Sequence, residues 1–430
     1  MITFFCHSER SEESPGQRAR SLAVLKVSTT VFVVALAIRF VTLAVWLPRL
    51  NPDVNLDWYR SLARHLVAGD GFVAEDDHGR VLPQVDRTPG YPLFLAGLMR
   101  LGGDRLGWFL AVQCVVGALT CAGTSWLAGR WLTPRGSLAA GLLVALDPNL
   151  VLRCLDLRTE TLFTLVLVAG AGLVAWRADR PWAWLATGAF WSYATLTRPI
   201  AIGLWVVGTV VVLGTTAAPV RRRIGCLVAL WLGFLSLISL WSARNYALTG
   251  RWFFSTAPTF NLLVGRAAAV AAQQHGQNAD RLSEIFATEF RGAEFFESRE
   301  QFAIQWRACR AQALRLLAEA PSVAVRQYAL GWGQMLLGPG AQALEHSRRT
   351  PAKPARGWPV VYAVVLGITS ILGVIGVWRL GRSGMLLTAL VVYFIMLSGG
   401  AGGNSRFRVP ITPLLAVLVV ASWPTTRQPE

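Results

Sequence analysis

Six groups of charged or polar residues stand beside long apolar segments, and we expect all six to open on the same side of a membrane. They are Asp57 with Tyr59, Arg87-Thr88-Pro89, Glu160, Arg198-Pro199, Arg244-Asn245 and Arg406-Phe407-Arg408. A charged residue at membrane depth is costly unless it faces a cavity or a partner, so such residues indicate a functional site. Carboxylates and arginines gathered on one face would suit an anionic substrate carried by a lipid.

Each group also has a simpler explanation. Asp57 begins an amphipathic segment, where a carboxylate favours a helix N-terminus, and Glu160 could be the first-turn acid of its own helix. Arg198, Arg244 and Arg406 could be anchors that reach the membrane surface with their long side chains. The placement of all six groups on one face favours the functional interpretation over these separate ones.

The composition predicts an all-α polytopic membrane protein. Of the 430 residues, 53% are hydrophobic and only 15% are charged, against about 25% in average soluble domains. The net charge of +17 comes from basic residues spread among short loops, as expected where positive charge is retained on the cytoplasmic side. No basic stripe with interleaved aromatic residues appears, so the sequence gives no indication of nucleic-acid binding.

The cysteines and acidic clusters do not predict a metal site. Cys114, Cys121 and Cys226 lie in apolar segments and are most simply small buried side chains. Cys154 and Cys309 are both predicted outside the membrane, where a disulfide is conceivable. No Cys/His spacing typical of zinc is present, and the acidic run 75–78 lies between glycines in a polar turn.

Hydropathy predicts about ten membrane spans within a single domain, residues 27–423. A polar tail, 1–26, is expected to be disordered, and both this tail and residues 424–430 are expected in the cytoplasm. The predicted spans are 27–47, 106–130, 136–153, 160–176, 181–197, 199–217, 224–243, 358–378, 384–398 and 409–423.

Two long loops, 50–104 and 245–356, are predicted on the external face. The first contains two runs with helical spacing, and its apolar stretches are too short to cross a bilayer, so two surface helices are expected. These runs are Trp58, Leu62, His65 and Leu66, followed by Tyr91, Leu95 and Leu98. The second loop is expected to form a mostly helical cap.

One apolar segment of the second loop, 323–340, leaves the topology open. Arg326, Gly331, Gly333 and Pro339 interrupt it, so we expect a re-entrant or surface helix, because a span needs about 20 apolar residues. As a true span it would move the basic set 346–357 to the cytoplasm, but it would move Arg406 there as well.

The ordered motifs resemble the C-type (GT-C) glycosyltransferases, which use polyprenyl-phosphate sugars and include relatives of the protein O-mannosyltransferases (glycosyltransferase family 39) and the lipid A aminoarabinose transferase. The resemblance runs from about residue 50 to 423, and the loop 265–356 matches little. The matching segments are DWYRSLARHLVAGDGF, RTPGYPLFLAGL, LRTETLF, ATLTRP, WSARNYALTGRWF and RFRVPITPLLAVL.

The resemblance implies a catalytic acid in the first external loop, four residues before the tyrosine of the first surface helix. That position holds Asn55, and two acids flank it, of which we expect Asp57 to act as the base, with Asp53 as the alternative and Glu160 as a further catalytic candidate. The resemblance also implies donor and acceptor binding by the remaining residues. These are Tyr59, Arg87, Tyr91, Arg198, Arg244, Asn245, Arg406 and Arg408.

The implied activity is transfer of a sugar from a polyprenyl-phosphate donor to an acceptor hydroxyl at the extracytoplasmic face of the cell membrane, with inversion. A general base typically contributes about 10²–10⁴-fold to such a step, and arginines suit the leaving phosphate because they form bidentate bonds. No certain cofactor beyond the lipid-linked donor and no divalent metal are indicated. The expected partners are membrane lipid, the donor, and an acceptor that is a glycan, a lipid or a protein.

Two other functions stay open at this point. A transporter or flippase of a lipid-linked saccharide should show internal repeats or paired broken helices at the membrane midplane, whereas here the charges gather at one face. A catalytically degenerate membrane scaffold would explain Asn55 in place of an acid.

Overall fold

The structure, a computed structural model, describes residues 15–50, 57–76, 78–215, 219–338, 357–400 and 402–423. This part of the chain is almost entirely helical, as predicted. Asp53, Asn55, the basic set 346–356 and the tail 424–430 lie outside the described residues, and so does the side chain of Asp57.

Every predicted span corresponds to an apolar helix of the bundle. Ten helices account for them: α1 (Pro15–Trp46), α4 (Leu106–Ala128), α5 (Pro134–Leu146), α7 (Glu160–Arg177), α8 (Pro181–Thr197), α9 (Leu204–Thr215), α10 (Val220–Thr249), α16 (Trp358–Leu380), α17 (Met385–Leu397) and α18 (Thr412–Ala421). The first helix begins at Pro15, so residues 15–26 are helical although we predicted disorder there. Proline is well suited to the first helical position because it has no N–H to leave unpaired, and Gly16 beside it does not prevent the helix from continuing to Trp46.

Five segments of the described chain are long and apolar enough to cross a membrane. They are Ser21–Arg49, Leu106–Ala128, Glu160–Arg177, Val220–Thr249 and Pro359–Leu397. Pro134–Leu146, Pro199–Gly214 and Thr412–Ala421 are apolar but shorter than the roughly 20 residues that a full crossing needs. The count of about ten crossings therefore stays a prediction.

The packing of α8 against α10 brings two of the arginine groups to one end of the bundle. A Cβ atom on Gly188 or on Gly233 would collide with the backbone of the opposite helix, so the two helices are in direct backbone contact at this crossing. Small residues permit such close approach between membrane helices. Arg198 lies ten residues after Gly188, and Arg244 lies eleven residues after Gly233. Both arginines therefore reach the same end of the bundle.

The first loop has the two helices that its periodicity predicted, α2 (Asp57–Ala68) and α3 (Gly90–Gly102). Between them, strands β1 (Val73–Glu75) and β2 (Val81–Pro83) form an antiparallel hairpin in which Ala74 pairs with Leu82. A short helix, α6 (Pro148–Arg153), links α5 to α7. Its first turn is capped by the Asp147 carboxylate, which accepts a hydrogen bond from the Leu150 N–H at 2.9 Å.

The second loop is helical over its described length. It contains α11 (Ala257–Phe260), a π-helical turn (Asn261–Ala267), α12 (Ala268–His275), α13 (Ala279–Glu294), α14 (Arg299–Glu319) and α15 (Pro321–Leu337). Helix α15 covers the ambiguous segment and is not among the five candidate spans. It lies directly against the glycine-rich segment 398–405, because Gly331 touches the backbone of Gly400 and Gly403. Gly400 and Gly403 of this segment therefore serve close packing against α15.

Candidate functional site

Glu160 is the centre of the charged cluster at this end of the bundle. It is the first residue of α7, its side chain is only 1% exposed, and its Oε1 atom accepts hydrogen bonds from two arginines, Arg198 and Arg406. The Arg198 Nη1 atom lies 2.8 Å away, and the Arg406 Nε atom makes the second contact. Within the described part of the chain, the second carboxylate oxygen, Oε2, has no hydrogen-bond partner.

Arg198 owes its position to the proline that follows it. A residue before proline is pushed out of the helical region, and Arg198 is extended (φ −144°, ψ 118°), so α8 ends at Thr197. The side chain is almost fully buried, and its guanidinium carbon lies 5.7 Å from the ring centres of both Phe163 and Phe407. An apolar wall therefore holds this guanidinium against Glu160.

Arg406 is positioned by a 3-10 turn, Ser405–Arg408, that two asparagines fix. The Asn404 side chain accepts a hydrogen bond from the Arg406 N–H at 3.0 Å. Asn149 donates through Nδ2 to the Ser405 carbonyl at 2.9 Å, which ties the turn to α6. Arg406 retains 27% of its side-chain exposure, so it remains accessible beside the buried carboxylate.

A second buried acid, Asp156, extends the cluster. It is 2% exposed, accepts a hydrogen bond from Arg153 at 3.2 Å and forms an ion pair with Arg158 at 3.1 Å. Burial lowers the pKa of Arg406 to about 10, and repulsion from Arg158 contributes to the lowering, so the Arg406 guanidinium stays charged at neutral pH. The cluster as a whole contains four arginines and two carboxylates, which leaves an excess of positive charge.

The sequence interpretation did not include Arg153, Asp156 and Arg158 among the site residues. A signal was present, since Asp156 and Arg158 belong to the run LDLRTE that ends at Glu160. Residues this close to the start of a helix reach the same end of the bundle as its first residue.

Tyr59 and Tyr91 connect the first loop to the cluster. Their rings meet edge to face with centroids 5.2 Å apart. The Tyr91 hydroxyl donates to Gln113 Oε1 at 3.0 Å, and Gln113 donates to the carbonyl of Asp156 at 3.0 Å. Helix α2, which begins at Asp57, is thus placed beside the arginines.

Arg87 faces the start of α2. Its guanidinium carbon lies 5.4 Å from the Trp58 ring centre, and its Nε atom lies 3.1 Å from a carboxylate oxygen of buried Asp86. Burial raises the pKa of Asp86, while the positive charge of Arg87 opposes that rise. Asp86, which the sequence interpretation also omitted, therefore holds Arg87 next to the residue that follows Asp57.

Arg244 and Asn245 hold the first and second long loops together. Arg244 donates to the carbonyls of Gln84 at 2.6 Å and Phe72 at 2.9 Å, and it lies 4.7 Å from the ring centre of Trp241. Asn245 donates to the Phe254 carbonyl at 2.9 Å. These contacts are with backbone oxygens, so the structure gives Arg244 a tethering role.

Arg408 likewise contacts backbone rather than the acid cluster. Its Nη1 atom donates to the carbonyls of Met335, Leu336 and Gly338 at 2.9–3.0 Å. A basic side chain commonly satisfies the last carbonyls of a helix, here those of α15. Arg408 is therefore separate from the acid cluster, in which Arg406 joins Arg198 and Glu160.

The cysteines and possible metal ligands give no further site in the described chain. Cys154 and Cys309 are both buried and free, so the conceivable disulfide is absent. Among the described residues, no group of three or more His, Cys, Asp or Glu side chains is arranged to hold a metal ion.

Solved structures with a similar fold place the chain in a class. The oligosaccharyltransferase AglB from Archaeoglobus fulgidus, in complex with an inhibitory peptide and a dolichol-phosphate, is similar with a TM-score of 0.52 and 14% identity, over 92% of this chain and 50% of that one. The apo form of the same enzyme gives 0.53 and 13% identity over the same shares. ArnT from Cupriavidus metallidurans gives a TM-score of 0.40 and 17% identity, over 91% of this chain and 77% of that one. The chain has the GT-C fold predicted from its motifs, and it spans about half the length of AglB.

A family model supports the resemblance in sequence. Residues 86–242 match the family described as dolichyl-phosphate-mannose-protein mannosyltransferase. The matched region includes three of the motifs that carried the resemblance, those around Arg87, Glu160 and Arg198. No curated protein matches the chain. The resemblance to polyprenyl-phosphate-dependent GT-C glycosyltransferases is therefore confirmed over this region.

Proposed function

We propose that this chain is a membrane glycosyltransferase that moves a sugar from a polyprenyl-phosphate donor to an acceptor hydroxyl at the extracytoplasmic face of the cell membrane. The observation that carries the proposal is the buried Glu160 with Arg198 and Arg406, held at one end of an apolar helical bundle beside the first loop. The family match of residues 86–242 and the dolichol-phosphate bound to AglB support a lipid phosphate as the donor.

The charge of the cluster suits the leaving group. Four arginines face two carboxylates, so the cluster has an excess of two positive charges. A phosphodiester-linked sugar carries one negative charge, whereas the released polyprenyl phosphate carries nearly two. An excess of positive charge therefore stabilises the charge that develops during transfer more than it stabilises the bound donor, which is the condition for catalysis.

The reaction requires one base that removes the proton of the acceptor hydroxyl. Asp57 takes the proton from the acceptor hydroxyl, the hydroxyl oxygen attacks the anomeric carbon, and the bond from that carbon to the phosphate oxygen breaks with inversion. The start of α2 suits this role because Trp58 and Tyr59 bring it beside Arg87 and the cluster. Asp53 is the alternative base.

Purified protein is incubated with labelled polyprenyl-phosphate sugars and candidate acceptors, and both the glycosylated product and released polyprenyl phosphate are measured. Asp57→Asn should lose about 10²–10⁴-fold in transfer rate, the usual contribution of a general base. Asp70→Asn is the matched control, because Asp70 lies on the same loop and pairs with His65. Full activity of Asp57→Asn with an inactive Asp53→Asn would move the role to Asp53, and full activity of both would refute the carboxylate mechanism.

The orientation in the membrane is tested separately. Gln277→Cys in the cap should react with an impermeant thiol reagent added outside intact cells, and Arg222→Cys at the opposite end should react only after lysis. Both positions are exposed. The reverse labelling pattern would contradict an extracytoplasmic site.

A further inference from the structure

A second basic cavity lies at the end of the bundle opposite the Glu160 cluster. It has a volume of about 460 Å³ and is lined by Arg130, Arg223 and Arg382. The Arg130 Nε atom donates to the Ala175 carbonyl at 3.0 Å, which places the cavity beside the C-terminal end of α7. Fifteen residues of helix separate Ala175 from Glu160, which corresponds to roughly 22 Å. The cavity is therefore distinct from the proposed active site.

The residues that line this cavity contribute positive charge and no negative charge. Twelve residues line it, and none of these is acidic. Asp179 follows lining residue Ala178, but its carboxylate pairs with Arg180 at 3.2 Å. The Arg223 Nε atom is buried, and among the described residues it has no hydrogen-bond partner. A buried donor of this kind is costly unless something accepts from it.

The position of Arg223 also favours an anion. Arg221, Arg222 and Arg223 occupy the first turn of α10, where the helix dipole is positive and disfavours cations. General retention of positive charge on the cytoplasmic side explains why arginines occur at this end. It does not explain why Arg223 and Arg382, which belong to different helical segments, line one cavity while Arg221 and Arg379 lie outside it.

We propose that this cavity binds a phosphate group, and that the phosphate is the headgroup phosphate of an anionic membrane lipid. The volume lies within the range of small-molecule sites, about 300–1,000 Å³. Val211, Leu213 and Leu386 add an apolar wall next to the arginines, so an acyl chain has a surface to follow. Basic cavities between membrane helices suit phosphate-bearing headgroups because their arginines attract the phosphate charge.

The test measures lipid binding rather than sugar transfer, so its outcome is independent of the proposed activity. The full-length protein in detergent is titrated with phosphatidylglycerol, with phosphatidylcholine of equal chain length, and with inorganic phosphate, and bound ligand is counted by native mass spectrometry. Arg223→Gln and Arg382→Gln should each weaken phosphatidylglycerol binding about fivefold, the effect typical of one basic residue near an anionic headgroup. Arg221→Gln and Arg379→Gln, the matched controls, should leave binding unchanged.

Three outcomes would overturn the proposal in whole or in part. Equal weakening in all four variants would mean that diffuse charge, and not the cavity, attracts the lipid. Binding that none of the variants alters would place the lipid elsewhere. Inorganic phosphate that binds with the same dependence on Arg223 and Arg382, without any gain from the lipid, would retain the phosphate site but refute a lipid as its source.

Discussion

Replacement of Glu160 by glutamine should destabilise the protein far more than a similar change at a surface ion pair. The amide keeps the shape of the side chain but removes the charge between Arg198 and Arg406. The side chain is 1% exposed, so water cannot replace the lost carboxylate. The buried guanidinium of Arg198 and the partly exposed guanidinium of Arg406 would then remain next to one another without their shared counter-charge.

The structure sets the expected size of the effect. Removing one partner of a buried ion pair costs about 3–5 kcal/mol, because the remaining charge is left unpaired. The glutamine oxygen can still accept one hydrogen bond, so we expect the lower end, about 3 kcal/mol. Asp104 offers the matched control, since it also pairs with two arginines, Arg60 at 2.6 Å and Arg64 at 2.7 Å, but is 32% exposed. Exposed pairs contribute about 0–1 kcal/mol, so Asp104→Asn should cost less than 1 kcal/mol.

Unfolding of the wild type and both variants in one detergent, followed by far-ultraviolet circular dichroism, gives the two differences in free energy. Burial would raise the pKa of Asp104, but hydrogen bonds and positive charge from Arg60 and Arg64 lower it below its usual value. The contribution of Asp104 to the free energy of unfolding is therefore present above the usual pKa of an aspartate, about 3.9, and is lost as the pH falls below that value. Losses under 1 kcal/mol for both variants at neutral pH would refute the claim that Glu160 is a buried counter-charge.

Two further pairs of variants test other contacts. Arg406→Lys should weaken donor binding about tenfold, since lysine lacks the planar fork of arginine. Arg408→Lys should destabilise the end of α15 and leave donor affinity unchanged. Equal donor affinities of the two variants, measured by titration with a polyprenyl phosphate, would contradict this assignment. Gly331→Ala should lower the free energy of unfolding by about 1–3 kcal/mol, because its Cβ would collide with Gly400. At Gly333 a Cβ meets open space, so Gly333→Ala should raise the free energy of thermal or chemical unfolding by up to about 1 kcal/mol. Similar effects of the two changes would rule out the close packing of α15.

The helices were predictable because their signals are local. Apolar length located the ten bundle helices, and helical spacing in the first loop located α2 and α3. The start of α1 was misjudged because the polar composition of residues 15–26 was interpreted as disorder, although Pro15 suits the first position of a helix.

The pairing of side chains was less accessible to sequence reasoning. Glu160 and Arg406 are 246 residues apart, and nothing near either residue specifies the other. Arg244 and Arg408 look equally suited to a phosphate, yet backbone carbonyls occupy them. The last carbonyls of any helix need donors from elsewhere, so an arginine close to a loop can have backbone carbonyls as partners instead of a ligand. Only the tertiary packing decides between the two.

The geometry of Glu160 separates its role from that of Asp57. Its Oε1 atom already accepts from two guanidinium groups, so a proton on this carboxylate would be opposed by two positive charges. We therefore propose Glu160 as a positioning residue for the donor phosphate rather than as the base. Glu160→Gln should raise the KM for the donor more than it lowers kcat, whereas Asp57→Asn should lower kcat with little change in donor KM. A loss of kcat at constant donor KM in Glu160→Gln, in protein that remains folded, would instead make Glu160 a participant in the proton transfer.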